Sequence, residues 1–178
     1  EPGVERDKLR LLATMGEQTG GLLSTQRQMI HGVLDLRGRS VGQIMVPLVH
    51  VRALPVSATV EAFYSAAARH GHARFPVYQG RIDHVVGVVH LLDIIYADEN
   101  GSLAIDTTIE SFVRSDVTFV PESKNIYQLL DQIRRDRMTM AMVVDEYGGV
   151  VGLVTVEDVL EEIFGEFADE RDTTTRVL

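Results

Sequence analysis

A chain of 178 residues with no cysteine relies on neither disulfides nor thiolate metal sites, and at that length it buries roughly 70% of its unfolded surface, enough for one domain or two small ones. The formal net charge of −9 and the absence of a basic stripe argue against sequence-independent attachment to nucleic acid or anionic lipid. The longest apolar stretch, Val85 to Leu92, is broken by Gly87 and His90 and falls short of the ~18 residues of a membrane span, so the piece is expected to be soluble. It opens on Glu1-Pro2-Gly3 with no initiator Met and reads as a fragment of something longer.

In chain order, Leu9, Leu12 and Met15 share one face of a first helix that Gly16 and Gly20-Gly21 interrupt or end. Thr25 and Gln28 then form a capping-box pattern, opening a helix with Met29, Ile30, Val33 and Leu34 on its apolar side and closing around Gly38. Ser40 and Gln43 repeat the capping signature before the short segment Val41–Met45, which Pro47 stops, because the residue before a proline avoids the helical region.

From Val51 onward the chain matches itself. Val51 to Ser57 aligns with Val117 to Ser123, 66 residues further on, as do Val60, Phe63 and Ala67 with Ile126, Leu129 and Ile133. Phe75–Tyr78 and Ala141–Val144 keep that offset, and after a one-residue gap Gly87-Val-Val-His90-Leu-Leu-Asp93 aligns with Gly152-Leu-Val-Thr155-Val-Glu-Asp158. Such a period exceeds the ~20–50 residues of solenoid repeats and points to two duplicated small domains. Each unit reads strand, helix, strand, strand, helix, with Asp145 to Gly149 supplying the residues of a tight hairpin and Arg81 to His84 its looser counterpart. The fold class is therefore α+β, a mixed α/β arrangement with a small three-stranded sheet and two helices in each half, preceded by linker helices.

The strand Val150–Val154 ends at a hydroxyl, and Val156, Val159, Leu160 and Ile163 then recur at helical spacing, which makes Thr155 the N-cap and puts Asp158 in the first turn. A helix N-terminus offers free N–H groups and partial positive charge to a phosphate, and a carboxylate beside it accepts hydrogen bonds from a ribose diol. Thr-x-x-Asp by itself caps a helix far more often than it binds a ligand, so the surrounding pattern has to decide.

That pattern resembles a tandem pair of cystathionine-β-synthase (CBS) domains: two such units, with Gly-h-h-Thr-x-x-Asp closing the second. More narrowly, Arg39-Ser-Val-Gly-Gln-Ile-Met-Val-Pro47, Ala73-Arg-Phe-Pro-Val77, Asp145-Glu-Tyr-Gly-Gly149 and the run from Val156 to Glu166 resemble the CorC/HlyC and cyclin-M (CNNM) magnesium and cobalt transport-associated family. The resemblance implies an N-terminal helical linker over 1–40, a CBS domain over 41–105, a second over 106–170 and a tail over 171–178. It implies a regulatory module on the cytoplasmic side of a membrane protein, binding an adenine nucleotide, ATP with Mg2+ or else AMP or ADP, and controlling magnesium or cobalt efflux. The implied partners are that transmembrane module and a second copy of the chain in a homodimer. Carried over by position, Thr155 and Asp158 meet phosphate and ribose, Met45, Val46, Pro47 and Leu48 line the base or ribose, Arg74 approaches the phosphates, and Pro76 and Val154 complete the lining. Arg74 suits that role because a guanidinium reads phosphate bidentately and stays charged. Some relatives carry Thr where Val46 stands, which removes one hydroxyl from the expected pocket.

The first half's equivalent site is chemically weaker, since His90 replaces the Thr while Asp93 keeps the carboxylate. His70 and His72 form a close pair without a third ligand, fail the spacing of a zinc site and read as loop residues. Glu157, Glu161, Glu162, Glu166, Asp169 and Glu170 describe a solvated acidic helix rather than a metal site, so magnesium is expected through nucleotide phosphates. Met138, Met140 and Met142 alternate around a strand as core or pliable interface. The chain lacks the P-loop spacing, the dinucleotide fingerprint, His-Glu-x-x-His and a cysteine nucleophile, so no enzyme is expected. The rival reading is a structural dimerisation module that binds no nucleotide.

Overall fold

The computed structural model describes residues 2–99 and 101–165. In order, the elements are α1 (Pro2–Gln18), α2 (Ser24–Asp35), β1 (Val46–Pro47), β2 (Leu54–Pro55), α3 (Val60–His70), β3 (Arg74–Tyr78), β4 (Val85–His90), α4 (Leu91–Ala97), β5 (Phe119–Pro121), α5 (Ile126–Asp136), β6 (Met140–Val144), β7 (Val150–Thr155) and α6 (Val156–Phe164), with single 3-10 turns at Val41–Gln43, Leu48–His50 and Ile109–Phe112. The duplicated order strand, helix, strand, strand, helix is present from β2 to α4 and again from β5 to α6. The first repeat forms a sheet in the order β2-β3-β4; the second has four strands in the order β1-β7-β6-β5, because β1 joins it. That extra strand has no hydrophobic run to announce it, being only Val46-Pro47 paired antiparallel with Leu153 and Gly152.

By internal contacts the described residues divide into two compact units, one of 2–45, 122–140 and 154–165, the other of 46–121 and 141–153. The second has a core of Val60, Phe63, Phe75, Val77, Val89, Ile94 and Ile109, all essentially inaccessible. Phe63 and Phe75 meet edge to face at 5.3 Å, which anchors α3 to β3. Thr59 caps α3, accepting from the Ala62 N–H, and Gly71 ends it in the left-handed conformation (φ 68). β2 runs parallel to β3 and β3 antiparallel to β4. Gly87 on β4 is required by a close approach: a Cβ there would lie 2.2 Å from Val113 Cγ1 and 2.5 Å from the Arg114 carbonyl oxygen. The hairpin turn is as expected, with Asp145 Oδ1 accepting from the N–H groups of Tyr147 (3.0 Å) and Gly149 (2.8 Å).

The other unit gathers the N-terminal helices with α5 and α6. Here several sequence expectations change. α1 runs through Gly16 without interruption, and Leu9, Leu12 and Met15 are exposed, its buried residue being Ala13. α2 begins at Ser24, not after a Thr25 cap: the Leu23 N–H donates to Gln26 Oε1 at 2.9 Å, so Gln26 rather than Gln28 closes the first turn. Its packing partner explains Gly32, where a Cβ would lie 2.1 Å from the Ile163 carbonyl oxygen of α6. Arg39 and Glu162 form an ion pair across the same contact. Ser40 does cap the turn Val41–Gln43, its N–H donating to Gln43 Oε1 at 2.9 Å. This segment is pinned to the start of α5 through main-chain bonds from the N–H groups of Val41 to Lys124 O (2.8 Å) and Gly42 to Glu122 O (2.8 Å). Tyr127 Oη adds a bond to Val33 O at 2.8 Å. Ile126 and Leu129 on α5, Met138, and Val159 on α6 are buried.

Candidate functional site

The start of α6 has the geometry its sequence predicts. Val154, the last inward residue of β7, is buried, and Thr155 follows it in extended conformation as the N-cap. Thr155 Oγ1 accepts from the Asp158 N–H at 3.2 Å, and Asp158 Oδ2 accepts from both the Thr155 N–H at 2.6 Å and the Thr155 hydroxyl at 2.8 Å. The capping box is complete. It occupies one oxygen only: Asp158 Oδ1 accepts no hydrogen bond among the described residues. The Val156 N–H is taken by the Thr139 carbonyl at 3.1 Å. The Glu157 N–H, which has no intrahelical partner by its position, has no acceptor among the described residues and is the open donor of the first turn. Both Thr155 and Asp158 are half-buried. A carboxylate oxygen and a helix N–H beside each other can accept from a hydroxyl and donate to an anion, the pairing a nucleotide presents.

β1 reaches this strand directly. Val46 lies opposite Leu153 and Pro47 opposite Gly152, two to three residues before Thr155. Met45, Val46 and Leu48 are half-buried and Pro47 is exposed. Arg74 and Pro76 stand on β3, where their cross-strand partners are His90 and Val88; Arg74 is exposed and Pro76 buried.

The first half's counterpart is closed by its own chain. The bridge Val88 to Arg114 is antiparallel and repeats the β1 to β7 pairing, so Arg114 stands where Val46 stands in the other half. Its guanidinium holds the Asp93 carboxylate with both oxygens engaged, Nε to Oδ2 at 2.7 Å and a second, shorter contact from Nη2 to Oδ1. The hydrogen bonds and charge of Asp93 raise the Arg114 pKa. His90 caps α4, its Nδ1 accepting from the Leu92 N–H at 3.1 Å, which requires a neutral ring. Partial burial, followed by the cations Arg74 and Arg114 against the opposing pull of Asp93, lowers the His90 pKa and favours that neutral form. Sequence pattern aligned Asp93 with Asp158 correctly but gave no sign of Arg114, which comes from a segment with no motif.

One further expectation changes. His70 is the last residue of α3 rather than a loop residue, and its ring stacks on that of His72 at 6.3 Å. Of the apolar residues of α6, Leu160 is exposed while Ile163 and Phe164 are half-buried, and the Ile163 backbone lies against Gly32 of α2. Of the acidic set, Glu157 and Glu161 are exposed and Glu162 pairs with Arg39, while Glu166, Asp169 and Glu170 lie outside the described residues. Among the described residues no three His, Asp or Glu side chains converge as metal ligands, and no helix is long and apolar enough to cross a membrane.

Comparison with known proteins adds further observations. The CBS domain family model matches residues 41–100 and 109–165. The magnesium and cobalt efflux protein CorC of Salmonella typhimurium is 35% identical over 94% of this chain. The solved CBS domain of the bacterial CNNM/CorC family Mg2+ transporter is 37% identical with a TM-score of 0.77, covering 92% of this chain and 98% of that one. The same kind of domain solved in complex with ATP is 40% identical with a TM-score of 0.70, covering 78% of this chain and 96% of that one. The chain spans only part of the curated relatives it matches, from 27% of a DUF21 domain-containing protein of Arabidopsis thaliana to 56% of CorC.

Proposed function

The chain belongs to the CBS-domain family, as the CBS pair of a CNNM/CorC-type protein, and from that premise we propose that it is a regulatory module that binds an adenine nucleotide at the start of α6. The observation that carries this reading is the divided use of Asp158: Oδ2 makes the helix cap while Oδ1 stays available beside the open Glu157 N–H. In the proposed complex Oδ1 accepts from the ribose diol, the Glu157 N–H and the Thr155 hydroxyl, its proton turned from Asp158 Oδ2 to the ligand, meet a phosphate, and the Met45–Leu48 segment flanks the sugar or base. That a related domain was solved with ATP supports the ligand class. ATP is the proposed nucleotide, with Mg2+ held by its phosphates, since the described residues supply no ligand set of their own.

The larger proposal is that occupancy of this site controls divalent-cation transport by the membrane protein of which such a module forms part, on its cytoplasmic side. A ligand shifts a conformational equilibrium only through differential affinity, and here the affected element is α6. Its far end lies against Gly32 of α2, so a change in α6 has a direct route to the N-terminal helices.

Calorimetric titration of the chain with AMP, ADP and ATP, each with and without Mg2+, tests the binding step. The expected outcome is one nucleotide per chain, with ATP binding more tightly in the presence of Mg2+ and AMP nearly indifferent to it. The absence of heat and of any melting-temperature shift with all three nucleotides would leave a structural dimerisation module as the better reading.

A further inference from the structure

We propose that Arg114 is a built-in occupant of the first half's ligand position: a tethered guanidinium that takes the Asp93 carboxylate in place of a ribose diol and leaves one nucleotide-responsive half per chain. The inference rests on the reading of Asp158 given above. Asp93 and Asp158 are equivalent in the repeat, yet their carboxylates are engaged differently. Oδ1 of Asp158 accepts nothing among the described residues, whereas both oxygens of Asp93 accept from Arg114, Oδ2 from Nε at 2.7 Å and Oδ1 from Nη2. The two kinds of donor are alike in shape. A ribose diol presents two O–H groups side by side to a carboxylate, and the edge of a guanidinium presents two parallel N–H groups with a positive charge added.

Main-chain bonds set the guanidinium there. The Arg114 N–H donates to Val88 O at 3.0 Å and the Val88 N–H to Arg114 O at 2.9 Å, which holds this segment along β4 just before the start of α4. Gly87 permits the approach, since a Cβ there would strike Val113 and the Arg114 carbonyl. In the second half the equivalent pairing puts Val46 opposite Leu153, and valine has no donor to offer a carboxylate. Because Arg114 belongs to the same chain, it acts at an effective concentration on the order of millimolar, and a free diol without its charge has to displace it. The Asp93 side chain is accordingly left only 20% exposed, whereas that of Arg114 is 62% exposed, so the guanidinium can be removed without opening the core. The tie joins the Val113–Arg114 segment to the start of α4 with no ligand present, which makes the first half the fixed one.

The test is the stoichiometry of Mg-ATP and of AMP binding to the whole chain by calorimetry. The parent chain is expected to bind one nucleotide and Arg114→Val, which copies the residue of the second half, to bind two. In the Asp158→Ala background, where affinity falls at least ~10-fold, adding Arg114→Val restores one binding event, now at the first half. His90→Thr/Arg114→Val completes the second half's pair of residues and registers a first-half site that His90 alone keeps weak. If Arg114→Val lowers the melting temperature, Arg114→Ala gives the same reading without a branched side chain. Hydrogen exchange of the nucleotide-free chains supplies a second readout: Leu91–Ala97 exchanges faster in Arg114→Val than in the parent, and saturating nucleotide slows it again. One nucleotide bound by the parent and still one by both Arg114→Val and His90→Thr/Arg114→Val overturns the built-in occupant and leaves the Asp158 site standing. No nucleotide bound by the parent or by any variant removes both.

Discussion

At Asp158 the two carboxylate oxygens are used differently, since Oδ2 accepts from Thr155 N–H and Oγ1–H while Oδ1, the proposed ribose acceptor, accepts nothing among the described residues. Replacing Asp158 with Ala therefore has two consequences of different size. Loss of the capping interactions costs about 1 kcal/mol of stability, read as a modest fall in melting temperature. Loss of the ribose acceptor removes charge-assisted bonds of about 1.5–3 kcal/mol each, so nucleotide affinity falls at least ~10-fold in a variant that is still folded. Asp93→Ala is the contrasting case: its carboxylate already serves Arg114, so nucleotide affinity is expected to stay within about threefold of the parent chain. Calorimetry on both variants decides the matter, and equal affinity for Asp158→Ala and the parent would leave Thr155 and Asp158 as a helix cap alone. The contrast also marks what was legible. The spacing Thr155 to Asp158 located the cap and the carboxylate, because capping is local. That Asp93 is neutralised was not legible, because its partner Arg114 lies 21 residues away and is brought in by a single bridge at Val88.

At the scale of elements, the repeat in the sequence foretold the order of strands and helices in both halves, since duplicated apolar patterns impose the same local structure twice. It did not foretell β1, whose two residues pair only because β7 presents a free edge, nor the continuity of α1 through Gly16, where 16 flanking helical residues outweigh one poor helix former. The exposure of Leu9, Leu12 and Met15 likewise shows that an apolar face in a helix need not be the buried one. Gly32 is the informative residue at this scale, because α2 and α6 approach so closely there that no side chain fits. Gly32→Ala gains about 1 kcal/mol in helix propensity, yet it must displace the Ile163 carbonyl, and overpacking of that kind costs about 1–3 kcal/mol. The obstacle is backbone and cannot rotate away, so the net effect expected is destabilisation, seen as a lower urea midpoint with an unchanged slope. A midpoint equal to or above that of the parent chain would show that α2 and α6 are free to separate at this point.

For the whole molecule, two proposals remain to be joined: assembly and ligand control. We propose that the exposed apolar side chains of α4, Leu92, Ile95 and Tyr96, supply surface for an isologous contact between two copies. Light scattering at micromolar concentration is expected to return twice the 19.8 kDa of one chain, and Leu92→Asp/Ile95→Asp to return the single mass. A parent chain that scatters as 19.8 kDa with and without ATP would exclude the dimer. The central claim, that a nucleotide is held at the start of α6, is tested most directly by hydrogen exchange. Saturating Mg-ATP is expected to slow exchange in Val41–Leu48 and in Thr155–Phe164 together, while Asp158→Ala removes both effects at the same nucleotide concentration. Protection elsewhere with neither segment affected, or protection unchanged in Asp158→Ala, would contradict it.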